Sequence, residues 1–373
     1  MKKVKIGMIG TGDMGQVHLR ALAALDNSAQ IIALYDPSEE RLKVAENLLP
    51  YQVVTCNSLH DLLKNKDIEA VFVCSPNDIH YEQAIAAMEH GKHLFLEKPL
   101  ATNMDQVCEI VAMAKKKNLI LQVGLVYRYS AMFRRIAELV TNEVIGQPRM
   151  VWCHEFRVPY PVGRDREWRY SQSRTAGTLV EKTCHHFDLF NWILSDEPIR
   201  VFASGGCDVI RTGGPIEPGV PGEPYKYEGR CDVLDNAWVV IEYAGGARAN
   251  LGLCMFADNR ELPFGVLGTK GWIEAFVNAQ KLKYCVYSNG KIFEETFSDR
   301  IVGRNQYMGH PGGQAQVVEF LDCVRERKDS FCNGDVALRS MAVSFAAEES
   351  VKIGCYVSVD IDSHLRRVGT LHR

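Results

Sequence analysis

One stretch near the start of the chain has the residue types and spacing needed to hold a phosphate. Ile9–Gly10–Thr11–Gly12–Asp13–Met14–Gly15 carries G-x-G-x-x-G between an apolar run and a helical pattern. Gly10 permits a tight turn, Gly12 lets the backbone approach a pyrophosphate, and Gly15 lets helix and strand pack closely. A helix opening here offers free N–H donors and the positive end of its dipole, with Thr11, Asp13 and Met14 around the anion. Asp36 ends the second apolar run, 21 positions beyond Gly15. A carboxylate there accepts ribose hydroxyls and repels a 2′-phosphate, so NAD is favoured over NADP.

A second group lies at 179–193. At about 100° per residue, His185 falls about 40° from Glu181 and Asp188 about −20°, so the three share one helical face. Two carboxylates flanking an imidazole can fix its tautomer and raise its basicity. A polar helix face with ordinary ion pairs explains the same pattern. His186 falls at about 140° and reads as structural or surface. Glu181, Cys184, His185, His186 and Asp188 are all ligand types. No second Cys/His cluster has ligand spacing and no H-E-x-x-H occurs, so no metal is expected.

Two short motifs follow later apolar runs: Ser75–Pro76–Asn77 with His80 after 70–74, and Glu97–Lys98–Pro99 after 93–96. Open α/β sheets bind ligands beyond the carboxyl ends of their strands. Lys98 is then placed to touch a nicotinamide or a substrate; the plain alternative is a solvated surface lysine.

The elements that must carry these residues alternate through the first third. Apolar runs at 4–9, 31–35, 70–74, 93–96 and 119–123 are separated by helical patterns at 13–24, 38–48, 79–90 and 103–117, with Ser38 as an N-cap. Alternating strands and helices imply βαβ units and a parallel sheet, and continuous apolar runs suit strands buried on both faces. Beyond Gly124 a helix at 132–139 precedes longer alternating runs at 150–157, 200–207, 237–243, 247–254, 281–287 and 291–297. The last two flank a Ser288–Asn289–Gly290 turn. These predict a mostly antiparallel second sheet. The Gly- and Pro-rich 211–227 reads as a loop, and helices are predicted at 314–327 and 335–353. One boundary is expected near residue 125.

The 373 residues suit two domains and a sizeable core. A net charge of −3, with both signs mixed along the chain, argues against a nucleic-acid or anionic-membrane partner. The apolar stretch after Lys2, Lys3 and Lys5 is too short for an export signal, and no run is long enough to span a membrane. Twelve scattered cysteines without a C-x-x-C pair are expected to be reduced, and the expected location is the cytoplasm.

The motifs together resemble the GFO/IDH/MocA oxidoreductases (glucose–fructose oxidoreductase, inositol dehydrogenase and relatives) over nearly the whole chain. The markers are the Gly10–Gly15 loop, Ser75–Pro76–Asn77 with His80, Glu97–Lys98–Pro99, Trp168–Arg169 ahead of Ala176–Gly177, and the helix with His185 and Asp188. The resemblance implies an α/β protein. Residues 1–125 would form a Rossmann domain with a doubly wound parallel sheet. Residues 126–373 would form an α+β domain whose large, open, mostly antiparallel sheet joins a dimer or tetramer. It implies NAD as cofactor, with Ser75, Pro76, Asn77, His80, Glu97, Lys98, Arg128, Trp168 and Arg169 beside it.

The resemblance also implies a catalytic lysine, Lys98, and a D-x-x-x-H dyad matched by Glu181 and His185. Glutamate stands where the family has aspartate, which puts the role of Glu181 in question. The implied reaction oxidises a ring secondary alcohol of a sugar, glycoside or cyclic polyol. Hydride passes to C4 of NAD⁺, His185 removes the hydroxyl proton, Glu181 orients His185, and Lys98 holds the hydroxyl. Tyr127, Arg128, His154, Arg169 and His310 are candidates for gripping substrate hydroxyls, each equally suited to a core or surface role. The Glu181–Lys182–Thr183–Cys184–His185 variant looks like members that act on pyranosides, some at C3 of a glucosyl unit. Alternatives are an inositol dehydrogenase, a redox-neutral enzyme that recycles tightly held NAD, and a non-catalytic NAD-bound sensor. Lys98 and His185 argue against the sensor, since a binder needs no general base.

Overall fold

The computed structural model of the chain describes residues 2–160, 167–210, 231–257, 262–298 and 311–369. Six strands, β1 (Val4–Ile9), β2 (Ala29–Tyr35), β3 (Val54–Thr55), β4 (Ala70–Val73), β5 (His93–Leu96) and β6 (Leu121–Val123), pair in parallel in the order β3-β2-β1-β4-β5-β6. Between them run α1 (Asp13–Ala23), α2 (Glu39–Glu46), α3 (Leu59–Leu63), α4 (His80–Glu89) and α5 (Met104–Lys116). Every residue of β4 and β5 is buried, as their unbroken apolar runs require. Side-chain caps start three of the helices: Ser38 accepts the Arg41 N–H, Ser58 the Asp61 N–H and Asn103 the Asp105 N–H.

The strand order reverses between β1 and β4, and such a switch point opens a crevice at the strands' carboxyl ends. Ile9 pairs level with both Tyr35 and Val73. The turns beginning at Gly10, Asp36 and Cys74 therefore leave the sheet together.

The second half adds α6 (Ala131–Thr141), β7 (Pro148–Phe156), α7 (Gln172–Thr175), α8 (Thr178–Glu181), α9 (Cys184–Leu194), β8 (Pro198–Gly206), β9 (Asn236–Tyr243), β10 (Arg248–Cys254), β11 (Pro263–Gly268), β12 (Gly271–Phe276), β13 (Lys281–Val286) and β14 (Lys291–Thr296). Then come α10 (Gly313–Glu326), α11 (Gly334–Ile353), β15 (Val357–Ser358) and α12 (Ile361–Arg367). The nine-stranded sheet runs β14-β13-β12-β11-β7-β10-β9-β8-β15, antiparallel at each pairing but β10 with β7.

Period-two alternation sorts its side chains. Val151, Cys153 and Glu155 of β7 are buried on the face that carries helices, where Phe133 of α6 and Phe190 of α9 meet Phe264 at 5.2 and 6.0 Å between ring centroids. Trp152, His154 and Phe156 point the other way. Beside them lies Trp238, 53% exposed and in edge contact with His154. Gly252 and Gly265 lie beneath Trp238 and Trp152, where any Cβ would collide with the indoles.

The chain packs as two units. One comprises the described residues of Met1–Ser130, Asp299–Leu338 and Asp362–Arg373; the other comprises those of Ala131–Ser298 and Arg339–Ile361. Sequence alternation marks only one boundary, near 125. Packing cuts at Ser130 and returns two late helices to the first unit. Phe320 of α10 meets the stacked Phe72–Phe95 pair edge-on at 5.3 and 5.7 Å, and Arg325 donates to Ser28 O at 2.8 Å. On α12, His364 and Arg367 pair with Asp105. Such long-range returns leave no periodicity in the sequence. The expected loop at 211–227 lies outside the described residues, as does His310.

Candidate functional site

In the first unit, α1 begins at Asp13, directly after the glycine turn. Gly10 has φ +85°, and a Cβ there would lie 2.8 Å from the backbone of Cys74 and Ser75. A Cβ on Gly15 would collide with the Gly10 carbonyl. Both glycines are thus required by the fold. Gly12 differs: a Cβ there would meet nothing within 4 Å. The protein leaves that space open at the amino end of an eleven-residue helix, where an anion gains most from free N–H groups. Thr11 Oγ1 and Asn77 Nδ2 are buried at this crevice without a protein partner. Asp13 and Met14, half-buried, form the first turn of α1.

Asp36 is buried at the end of β2. Its carboxylate accepts the Thr11 N–H at 2.8 Å and the Ser38 N–H at 2.9 Å, which ties the glycine turn to the next strand. A carboxylate has about four acceptor sites, so two remain for hydroxyls. Arg41 Nη1 stands 4.0 Å from Oδ1. An open space for phosphate, orphaned polar atoms and a ribose-height carboxylate fit a dinucleotide.

Ser75 and Pro76 are half-buried on the β4 turn. His80 is fully buried, with Nδ1 2.7 Å from Pro99 O and Nε2 2.9 Å from Ser75 O. It sits between the two turns, and in the neutral ring the single N–H donates to one of these two carbonyls. Burial depresses its imidazole, only partly offset by the two carbonyls. Glu97 is also internal: Oε1 receives His18 Nε2 at 2.7 Å, and Oε2 accepts the Lys98 N–H at 3.2 Å. Burial works to raise its carboxyl, but His18 and Lys98 outweigh it and hold it below the usual range. Glu97 thus anchors the backbone of Lys98, whose side chain is partly exposed. Tyr127 and Arg128 lie on the 3-10 turn Val126–Tyr129 beyond β6, both buried, with the Arg128 guanidinium 5.2 Å over the Phe331 ring.

The second unit corrects the single-helix reading of 181–188. α8 stops at Glu181, and α9 starts afresh at Cys184; Lys182 and Thr183 form the joint. Glu181 is therefore not one turn below His185 on a shared stripe. Its carboxylate takes Tyr160 Oη at 2.5 Å and the Arg169 guanidinium. Arg169, on the 3-10 turn Glu167–Tyr170, also lies 4.7 Å over both the Tyr160 and Trp168 rings. Tyr160, Arg169, Thr178 and Glu181 line a narrow cavity with Val233 and Met255. His185 and Asp188 remain together on α9, both buried.

His186 is buried rather than surface. Its Nε2 lies 3.2 Å from Glu155 Oε2, while Lys182 Nζ lies 3.0 Å from Glu155 Oε1. Burial opposes ionisation of Glu155, yet Lys182 and His186 hold its carboxyl well below the usual range. Glu155 thus pins the α8–α9 joint from β7. Sequence reasoning passed over it, although a charged residue in phase with Val151 and Cys153 is itself the signal. Tyr160 left no signal. His154 does not join this cluster, because alternation turns it to the opposite sheet face, stacked on Phe156 at 5.0 Å.

The comparisons with known proteins identify the family and the fold. Residues 4–125 match the family described as "Oxidoreductase family, NAD-binding Rossmann fold", and residues 137–359 match "Oxidoreductase family, C-terminal alpha/beta domain". The chain is 25% identical to the uncharacterized oxidoreductase YrbE of Bacillus subtilis, covering 96% of this chain and 97% of that one. It is 31% identical to myo-inositol 2-dehydrogenase of Thermotoga maritima, covering 73% and 75%. In fold it resembles levoglucosan dehydrogenase solved with NADH and levoglucosan: TM-score 0.81, 20% identity, 96% and 100% covered.

Proposed function

The chain belongs to the GFO/IDH/MocA oxidoreductase family and binds NAD, and from that premise we propose that it oxidises a ring secondary alcohol of a sugar, glycoside or cyclic polyol. The observation that carries this reading is the cavity in the second unit. Tyr160, Arg169, Thr178 and Glu181 border this narrow cavity with hydroxyl, guanidinium and carboxylate groups, the kinds that hydrogen-bond ring hydroxyls.

Thr11, Gly12, Asn77 and Asp36 hold the dinucleotide. Bound NAD supplies the acceptor for the hydride of the carbinol carbon. His185 takes the hydroxyl proton, and Lys98 donates a hydrogen bond to the same oxygen and stabilises its developing charge. Glu181 holds Arg169 and Tyr160 at the cavity wall. This differs from the orienting task that the D-x-x-x-H resemblance implies, and the break between α8 and α9 supports the change.

C3 of a glucosyl unit is the narrower form of the proposal, resting on the glutamate variant at 181. A cyclic polyol is the second reading, favoured by the 31% identity to a myo-inositol 2-dehydrogenase. The open face around Trp238 joins copies into a dimer or tetramer, and the protein works in the cytoplasm. No helix of the described residues is long and apolar enough to cross a membrane. The test is a panel of free sugars, inositols and glycosides scored for NADH formation. A productive ring alcohol supports the reading. NAD binding without turnover on any of them would point to a sensor or to a redox-neutral enzyme that recycles its NAD.

A further inference from the structure

Cys207 follows the last residue of β8, and Cys231 lies 24 positions further on, yet their sulfurs stand 3.4 Å apart. The contact is held through Asp235. Asp235, with no exposed surface, accepts the N–H groups of Asp208, Val209 and Ile210 at 3.1, 2.8 and 2.8 Å. The Asp235 N–H donates to Gly206 O at 2.9 Å. Residues 206 and 208–210, around Cys207, are thus bonded to Asp235, four positions beyond Cys231.

The same segment forms part of the cavity wall. Val233, Leu234 and Ile210 line it opposite Arg169 and Glu181. Asp232 N–H donates to Tyr170 O at 3.1 Å, next to Arg169, and Thr178 Oγ1 donates to Leu234 O at 2.5 Å.

We propose that Cys207 and Cys231 are a redox-sensitive dithiol whose disulfide stiffens the wall of the Arg169–Glu181 cavity. A disulfide needs sulfurs about 2.0 Å apart. The closure of the remaining gap falls on side-chain rotation at Cys231 and at Cys207, whose neighbours Gly206 and Asp208 are bonded to Asp235. The oxidant is a small-molecule disulfide. The thiolate of Cys207, the more exposed of the two, attacks one of its sulfurs, forming a mixed disulfide and releasing one small thiolate. The Cys231 thiolate then attacks the Cys207 sulfur, forms the internal S–S bond and releases the second. The protein loses two electrons and two thiol protons, and the small disulfide gains both as two thiols. Burial holds the Cys231 thiol above its ordinary value, with the Val233 carbonyl and Cys207 pulling the other way, so the less buried Cys207 makes the first attack. Reducing cells use disulfides of this transient kind for sensing.

The chemical test is independent of substrate. The NAD-loaded protein is treated with hydroxyethyl disulfide, its remaining thiols are alkylated, and the unreduced digest is examined by mass spectrometry. The expected product is one cross-linked peptide pair joining Cys207 to Cys231, two hydrogens lighter than the separate peptides and cleaved by dithiothreitol. Cys207→Ser and Cys231→Ser each remove it. Alkylation of both residues after treatment, or a mixed disulfide at Cys207 that never closes, overturns the proposal.

The effect on the cavity rests on the reading of that cavity as the substrate site. With a ring alcohol that the enzyme turns over, the cross-linked protein is expected to lose about tenfold in kcat/KM. Dithiothreitol restores it, and Cys207→Ser is immune. Cross-linked protein with unchanged kcat/KM overturns the coupling while leaving the dithiol standing. Absence of any turnover overturns the substrate reading instead, and the peptide cross-link still decides the dithiol.

Discussion

The Glu348 carboxylate fills the space in front of Gly177 that a Cβ would need, and its Oε1 accepts the Leu179 N–H at 2.8 Å. Gly177 has φ +106° and precedes α8, so α11 and the helix that ends at Glu181 meet through a carboxylate seated against a bare α-carbon. Glu348 is only 5% exposed. Burial pushes its carboxyl up to about 7, against the pull of the Leu179 N–H.

A raised acid binds its proton more tightly folded than unfolded. Its contribution to stability is complete below the usual carboxyl value near 4.5 and is lost as pH rises to about 7. The loss is on the order of 3 kcal/mol. Urea unfolding of the wild type is therefore expected to show stability falling between those pH values, beyond what Glu348→Gln shows. Parallel curves for the two proteins would refute the assignment. Gly177→Ala is expected to destabilise at every pH, because both the backbone conformation and the carboxylate stand in its way.

Asp36 has two tasks, and its replacement is expected to reveal both. Asp36→Ala loses the ribose acceptor and releases the Thr11 and Ser38 N–H groups. Calorimetry is expected to show NAD binding weaker by about 1.5–3 kcal/mol. The wild type is expected to bind NAD far more tightly than NADP. In the variant the gap narrows, because Arg41 stands beside the vacated carboxylate. Equal dissociation constants for the two cofactors in the wild type would contradict the role of Asp36.

The nucleotide end was legible in sequence because its determinants are local. Gly10, Gly15 and Asp36 sit at fixed distances from strands whose unbroken apolar runs announce burial. The strands β11 and β12 escaped because Gly265, Gly268 and Gly271 interrupt their pattern; Gly265 makes room for Trp152, Gly268 for Ile145 and Gly271 for the Cys285 carbonyl and Ile145. The 181–188 stripe misled for a related reason. Helical spacing assumes an unbroken helix, and the break at Lys182–Thr183 is stabilised from outside by Glu155, nearly thirty residues earlier in the chain. Glu348 was invisible, since nothing in its own segment marks its contact with Gly177.

Glu155 faces the buried Lys182 ammonium and the His186 imidazole. Removing one member of a buried ionic group strands the others in a poor solvent. Glu155→Gln is expected to lower unfolding stability by about 3–5 kcal/mol, read as a shift of the urea midpoint. NAD affinity should stay within twofold of wild type, because Gly12 and Asp36 belong to the first unit. A variant as stable as the wild type would show that the network contributes nothing to the α8–α9 joint.

Trp238 offers the assembly test. It is 53% exposed and lies with Trp152, His154 and Phe156 on the face of the nine-stranded sheet that carries no buried core. Apolar area of this kind is usually covered by a partner. Light scattering of the wild type is expected to give a dimer or tetramer, and Trp238→Asp a smaller species with native circular dichroism. A wild-type monomer at micromolar concentration would remove the interface from this face.

The assignment of Lys98 and His185 is decided by kinetics. Once a substrate is in hand, Lys98→Ala and His185→Ala are each expected to reduce turnover by about 10²-fold or more, the scale of a lost general base or oxyanion donor. NAD affinity should change little in His185→Ala, since the Asp36 and Gly12 contacts are intact. Glu181→Gln should raise KM more than it lowers kcat, because Glu181 holds Arg169 and Tyr160 at the cavity wall. Near-normal turnover in His185→Ala would mean that another residue takes the proton, and the mechanism would fail at its central step.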